Sequence, residues 1–270
     1  MKVYDEIVSL GYNCEVSFRL RDYFGNAFSS YLFTWTYMLD RQKFLDCIGG
    51  DMTRIMSGKV NYHPHSGGMF IDEQTGLSLH SLKQDSEIIN GDGTENTQVI
   101  SEAISEMRSR YGHLADKTID LFLSDKCSLF VIKIRFTNLD EDVKFIHDLY
   151  LALKNKYISG KFDLLVVVEA EHEAAIRNEI CKDVIVRSVP FFSTDGDTDT
   201  GGDHAAWNKI FDEFFSLQDY KLYCNLTSSV IPTEYLEWLK HQNEEHEKYI
   251  EELHEGTEFL AKQLQQLKAK

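Results

Sequence analysis

The chain has 270 residues, 43% hydrophobic and 27% charged, the composition of a folded protein with one sizeable core or two small ones. Its 44 acidic residues against 28 basic ones give a net charge of -16, which argues against nucleic acid or an anionic membrane as the main partner, because phosphate recognition needs clustered Lys and Arg. No apolar run approaches the ~18 residues of a membrane span, the opening M-K-V-Y-D-E has no signal-sequence pattern, and Cys14, Cys47, Cys127, Cys181 and Cys224 fit neither a disulfide framework nor a C-x-x-C zinc site, so a cytoplasmic location is expected.

The first element is a β-type run from Val3 to Leu10 that stops at Gly11, followed by an amphipathic helical pattern beginning at Asn13 and Cys14. Gly11 can adopt a backbone other residues avoid, Asn13 is a good N-cap, and Cys14 then falls in the first helical turn. Amide groups at a helix N-terminus lack partners and carry partial positive charge, so a thiol placed there is drawn towards the nucleophilic thiolate. The alternative is a small buried core residue, the usual fate of an intracellular cysteine.

Phe24 to Ser30 reads as a turn and residues 31–39 as an apolar, aromatic-rich connector. From Asp40 onward Phe44, Leu45, Ile48, Met52, Ile55 and Met56 recur at helical spacing, giving a second helix interrupted at Gly49-Gly50. Short β-type runs around Gly67-Gly68 and Gly76 predict a hairpin leading to His80. That histidine ends the alternating run L-S-L-H, so its ring could project from a strand end into a cleft; a hydrogen-bonded structural histidine is the alternative. His63 and His65, with Pro64 between them, share no helical face and have no third ligand nearby, which favours a solvated loop over a metal site. A polar loop over 84–97 precedes a long helix from Thr97 to Leu123, with Ile100, Ala103, Ile104, Met107, Tyr111, Leu114, Ile119 and Phe122 as its apolar stripe and Arg108 and Arg110 read as solvated.

The next stretch alternates strand and helix: a strand over Leu129 to Phe136, a helix over Asp140 to Lys156, a strand over Phe162 to Val168, a helix over Glu171 to Cys181 and a strand over Val184 to Val189. Fully apolar strands joined by helices predict an α/β fold, a mainly parallel sheet with helices on both faces. Ligands of such sheets bind beyond the carboxyl ends of the strands, which here carry Gly11 to Cys14, Arg135 to Asn138, Glu169 to His172 and the acidic loop Phe191 to His204. Asp195, Asp197 and Asp199 resemble part of a calcium loop without its closing Glu or its Gly, and a mobile acidic active-site loop is preferred. Asp203 and His204 open a helix running to Leu217: Asp203 is either its cap or, with His204, a carboxylate and an imidazole carried to Cys14.

Beyond Pro232 one long helix to Lys270 places Ile250, Leu253, Leu260, Leu264 and Leu267 in a partial seven-residue repeat, suited to pairing with a second copy or to continuing into a longer protein. The expected organisation is one α/β domain over 1–229 with a helical and hairpin insertion at about 40–125, then a C-terminal helix or short coiled coil over 230–270.

The segment S-L-G-Y-N-C-E-V-S-F-R-L-R (Ser9 to Arg21), followed by S-Y-L-F-T-W (Ser30 to Trp35), resembles the opening of a bacterial family of papain-like cysteine peptidases. Members of that family begin with Ser-Leu-Gly-x-Asn-Cys, continue to a Leu-Arg pair and follow with Pro-Phe-Asp-Trp. T-G-L-S-L-H (Thr75 to His80), S-L-F-V-I-K-I-R (Ser128 to Arg135) and D-H-A-A-W-N-K-I-F (Asp203 to Phe211) also fit. The chain departs at Leu32 and Thr34, where the family has Pro and Asp, so a role resting on that Asp has no counterpart here. The resemblance implies Cys14 as nucleophile and supports His80 as its base, in the Cys-before-His order of papain-type enzymes. It also implies a setting, since relatives are often encoded near surface-polysaccharide assembly genes.

The expected activity is thiol-dependent acyl transfer, in which Cys14 attacks an acyl carbon, an imidazole takes its proton and a carboxylate orients the imidazole. His80 is the first choice of base; His204 with Asp203 is the second, from the sheet-edge argument. The turn amides around Gly11, Asn13 and Cys14, with Arg135, form the expected oxyanion and substrate side. Peptide, glycan and small-molecule acyl substrates all suit such a thiolate. A transferase would take an acyl donor such as coenzyme A, and no metal or other cofactor is expected. A central strand feeding the nucleophilic helix, which papain lacks, favours transfer over peptide hydrolysis. The contrasting class is a non-catalytic α/β module that binds a nucleotide-sugar or a protein partner, with Cys14 protonated and inert.

Overall fold

The computed structural model describes residues 4–25, 28–63, 69–192 and 202–215. In chain order the elements are β1 (Glu6–Ser9), α1 (Glu15–Phe24), β2 (Thr36–Met38), α2 (Arg41–Gly49), β3 (Val60–His63), β4 (Met69–Asp72), β5 (Leu77–His80), α3 (Asp85–Ile88), α4 (Thr97–Leu123), β6 (Ser128–Lys133), α5 (Leu139–Lys156), β7 (Phe162–Glu169), α6 (Glu173–Glu179), β8 (Val184–Val189) and α7 (His204–Asp212). The chain divides into two units, Met1–Leu217 and Gln218–Lys270, and every described residue belongs to the first.

The apolar runs form a parallel four-stranded sheet in the order β1-β6-β7-β8, with Ser9 beside Val131 and Val131 beside Leu165. Strand side chains alternate between faces. Val8, Leu10, Phe130, Ile132, Leu164, Val166 and Val168 join Met107 and Phe122 of α4 and Phe145, Ile146 and Leu149 of α5 in one buried core. The intervening positions meet α1 instead: the Ser9 and Ser17 hydroxyls lie 3.1 Å apart, and Lys133 reaches Glu15. Phe211 of α7 packs beside α1, its ring 5.3 Å from Tyr23 and 6.2 Å from Phe24. The sheet is therefore α/β and parallel, as its apolar strands demand. The strand that leads to Cys14 is not central, however: β1 pairs with β6 alone among the described strands and closes one edge. The comparison with papain drawn from a central strand falls with that position.

A second, antiparallel sheet of order β2-β5-β4-β3 arises from the expected hairpin, enlarged by a strand from the aromatic connector. Thr36 and Met38 are buried while Tyr37 between them is half-buried, and Thr36 lies beside Leu79 in the ladder. Three residues are too few for a period to stand out in sequence, so only the partner strand β5 defines β2. The expected break at Gly49-Gly50 is present: α2 ends at Gly49, the Gly50 amide bonds Asp46 O at 2.8 Å, and the chain resumes as a 3-10 turn, Met52–Arg54, capped by Asp51. The helix expected over Ala205 to Leu217 is shorter, ending at Asp212.

The expected C-terminal helix, Asp195, Asp197 and Asp199, His65 and Cys224 lie outside the described residues. Among the described residues no helix is long and apolar enough to cross a membrane.

Candidate active site

The β1–α1 connection is a tight, left-handed turn. Leu10 makes a ladder bond to Val131 O at 2.9 Å; Gly11 and Tyr12 follow, both at φ +77°. A methyl group on Gly11 would stand 2.8 Å from Thr36 Oγ1 and 3.0 Å from Phe33 O, so the turn is pressed against the approach to β2. Tyr12 adopts a conformation that costs an L side chain roughly 1–2 kcal/mol. Its carbonyl accepts the Met38 amide at 3.2 Å, which holds the turn to the second sheet. Burial raises the Tyr12 phenol pKa, and the Arg41 and Arg135 guanidinium groups oppose that rise, placing both cations near the turn.

Cys14 rather than Asn13 occupies the cap position of α1, its carbonyl accepting the Phe18 amide at 3.0 Å. Asn13 supplies the capping chemistry from one residue earlier, Oδ1 accepting the Glu15 amide at 3.2 Å. The Glu15 amide is thereby occupied. Thr34, where the resembled family has Asp, closes its own turn: Oγ1 accepts the Tyr31 amide at 2.8 Å and its carbonyl accepts the Ser17 hydroxyl.

The turn contacts Thr36, Thr36 pairs with Leu79, and the next residue of β5 is His80. Through this chain of contacts two residues 66 positions apart meet: Cys14 Sγ lies 3.2 Å from His80 Nε2. Cys14 is 2% exposed and His80 is half-buried, so the imidazole is the more open member of the pair. Tyr111 of α4, 1% exposed, lies by the His80 main chain and within the electrostatic reach of Cys14.

His204 and Asp203 are placed elsewhere. Asp203 Oδ1 accepts the Ala206 amide at 2.9 Å as the cap of α7, and His204 Nδ1 faces Asp22 Oδ2 at 3.8 Å. Asp22 is eight residues beyond Cys14 on the same helix, about 12 Å along the axis at ~1.5 Å per residue. The cap reading of Asp203 thus describes it, and the imidazole brought to the sulfur is that of His80. Arg135 is exposed just past β6.

One constellation beside Cys14 escaped sequence reasoning. Lys133 at the end of β6 forms a buried ion pair with Glu15, the two side chains 2% and 0% exposed. Trp207 Nε1 lies 3.3 Å from Glu15 Oε1, and the Phe192 ring stands 4.8 Å from Lys133 Nζ. The signal was present as a single Lys inside the apolar run S-L-F-V-I-K-I and a Glu directly after the cysteine. Cys47 is the contrasting thiol: burial, then Asp72 and Asp51, push it up to about 12, so it stays protonated in the core.

Two cavities, about 350 Å³ beside Asp140, His147, Glu179 and Cys181 and about 190 Å³ beside Asp51, Phe122 and Lys156, are lined by neither Cys14 nor His80. Among the described residues no three His, Cys, Asp or Glu side chains converge as metal ligands. No protein-family model, curated protein or solved structure matches the chain.

Proposed function

We propose that the protein is a thiol-dependent acyl-transfer enzyme with Cys14 as nucleophile and His80 as its general base. The 3.2 Å approach of Sγ to Nε2, at the turn where β1 hands over to α1, carries the reading. A thiolate there gains from the amides of the first helical turn and from an imidazolium beside it. In the forward step Nε2 takes the Sγ proton, the sulfur adds to the acyl carbon, and the carbonyl electron pair moves onto oxygen. Collapse expels the leaving group, which receives the proton from His80. Water or an acceptor hydroxyl, deprotonated by the same ring, then releases the acyl group.

Hydrolysis of a peptide and transfer to a sugar from a donor such as coenzyme A share these steps. The resemblance of Ser9 to Arg21 to papain-like cysteine peptidases supports the nucleophile. The genetic setting implied by that resemblance favours a cytoplasmic role in surface-polysaccharide assembly, with residues 230–270 as a homodimer contact. The rival reading, a nucleotide-sugar or protein-binding module with an inert thiol, draws on the 2% exposure of Cys14 and on cavities that lie elsewhere.

The rate of Cys14 alkylation by iodoacetamide against pH, followed by mass spectrometry, separates the two. The enzyme reading expects reaction well below pH ~8.5, the ordinary thiol value, and a rate near pH 7 at least tenfold lower in His80→Ala. An ordinary thiol profile, unchanged in His80→Ala, supports the binding module instead.

A further inference from the structure

Tyr111 stands in the middle of α4, 1% exposed, and its hydroxyl proton has no acceptor among the described residues, the His80 main-chain amide facing the phenol oxygen. A buried hydroxyl proton without an acceptor is a cost that phenylalanine at the same position would avoid. Its surroundings suggest when a partner arrives. The phenol lies beside the His80 main-chain amide and in the field of the Cys14 sulfur, with Arg110 also acting on it. Burial is the largest influence on it and, with Cys14, outweighs the opposing Arg110 and His80 amide, pushing the phenol up to about 12. At neutral pH it therefore carries its proton and is a donor. The Glu15 amide, one of the main-chain donors nearest Cys14 in sequence, is already taken by Asn13.

We infer that the Tyr111 hydroxyl is the side-chain donor of an oxyanion site serving Cys14. The inference rests on the acyl-transfer reading and adds to it the group that stabilises the developing charge. When the thiolate bonds to an acyl carbon, the carbonyl π pair moves to oxygen, and that oxygen accepts a hydrogen bond from Tyr111, which keeps its proton. On collapse the pair returns, the bond to the leaving group breaks, and the leaving group departs with its electrons. A donor used only at this stage is idle in the resting protein, which accounts for a hydroxyl proton without an acceptor.

The test uses the full chain as wild type, Tyr111→Phe and Cys14→Ala with two probes. p-Nitrophenyl acetate acylates a thiol through an oxyanion and releases a coloured phenolate; iodoacetamide alkylates the same sulfur with no oxyanion. Tyr111→Phe is expected to acylate on the order of 100-fold more slowly, to alkylate within about twofold of wild type at each pH, and to melt no lower. Equal acylation by Tyr111→Phe and wild type overturns the inference and leaves the nucleophile in place. A parallel loss of both reactions, or a lower Tm, makes the hydroxyl structural and also overturns it. Wild type that releases phenolate no faster than Cys14→Ala removes the acyl-transfer reading itself.

Discussion

At Gly11 two demands coincide: a left-handed backbone, and so little room that an added Cβ would stand 2.8 Å from Thr36 Oγ1, closer than real Cβ contacts come, and a tight 3.0 Å from Phe33 O. Gly11→Ala is expected to cost about 1–3 kcal/mol from strain alone, read as a lower urea midpoint at unchanged slope, and to slow Cys14 alkylation because this turn aims the sulfur. The glycine, Asn13 and Cys14 were legible because a strand ending in Gly-x-Asn-Cys leaves few ways into a helix. His80 was legible as the end of an alternating run. Tyr111 was not: at its place in the α4 stripe the ring satisfies the apolar period whether or not the hydroxyl has work, and only the fold sets that hydroxyl beside His80.

The first turn of α1 is held from below by the Lys133–Glu15 pair, with Trp207 of α7 and Phe192 closing around it. Removing one member of a buried pair strands the other charge, so Lys133→Met is expected to destabilise by about 3–5 kcal/mol. Glu15→Gln combined with Lys133→Met neutralises both positions and recovers much of that loss, since the Gln amide oxygen can still accept from Trp207. A double-mutant cycle in urea measures the coupling, and additive losses would show that the pair is not the unit. The same elements explain why sequence erred around β2. A strand of three residues exists through its bonds to β5, and neither its length nor its composition announces a partner 39 to 43 residues away.

Over the whole described unit, the parallel sheet and the antiparallel sheet each supply one half of the Cys14–His80 pair. Titration at high pH acts at this scale because several buried acids share a direction. Burial raises the Cys47 thiol and the Tyr111 phenol to about 12 each, and burial with Asp163 raises Tyr4. In the unfolded chain these groups ionise from about pH 8.5 for the thiol to about 10 for the phenols, while in the fold they keep their protons, so the unfolded state binds fewer protons and stability falls as pH rises. The stabilisation is complete below pH ~8 and is lost towards pH ~12, at up to about 1.4 kcal/mol per pH unit for each group. Urea midpoints at pH 8, 9 and 10 are expected to fall progressively, and Cys47→Ala is expected to reduce the slope. A flat profile would contradict the burial of these groups.

The sequence by itself determined the parallel α/β sheet, the long helix from Thr97 to Leu123 and the turn that presents Cys14. Each of these is written in local period, capping residues and backbone freedom. Tertiary structure decided the rest: that β1 lies at an edge among the described strands, that a three-residue strand exists at all, and that His80 rather than His204 faces the sulfur. It also decided that a lysine in an apolar strand finds its countercharge in Glu15, the residue after Cys14. These are relations between positions 39 to 122 residues apart, and no local pattern encodes them, because they follow from which faces the sheets and helices bury against one another.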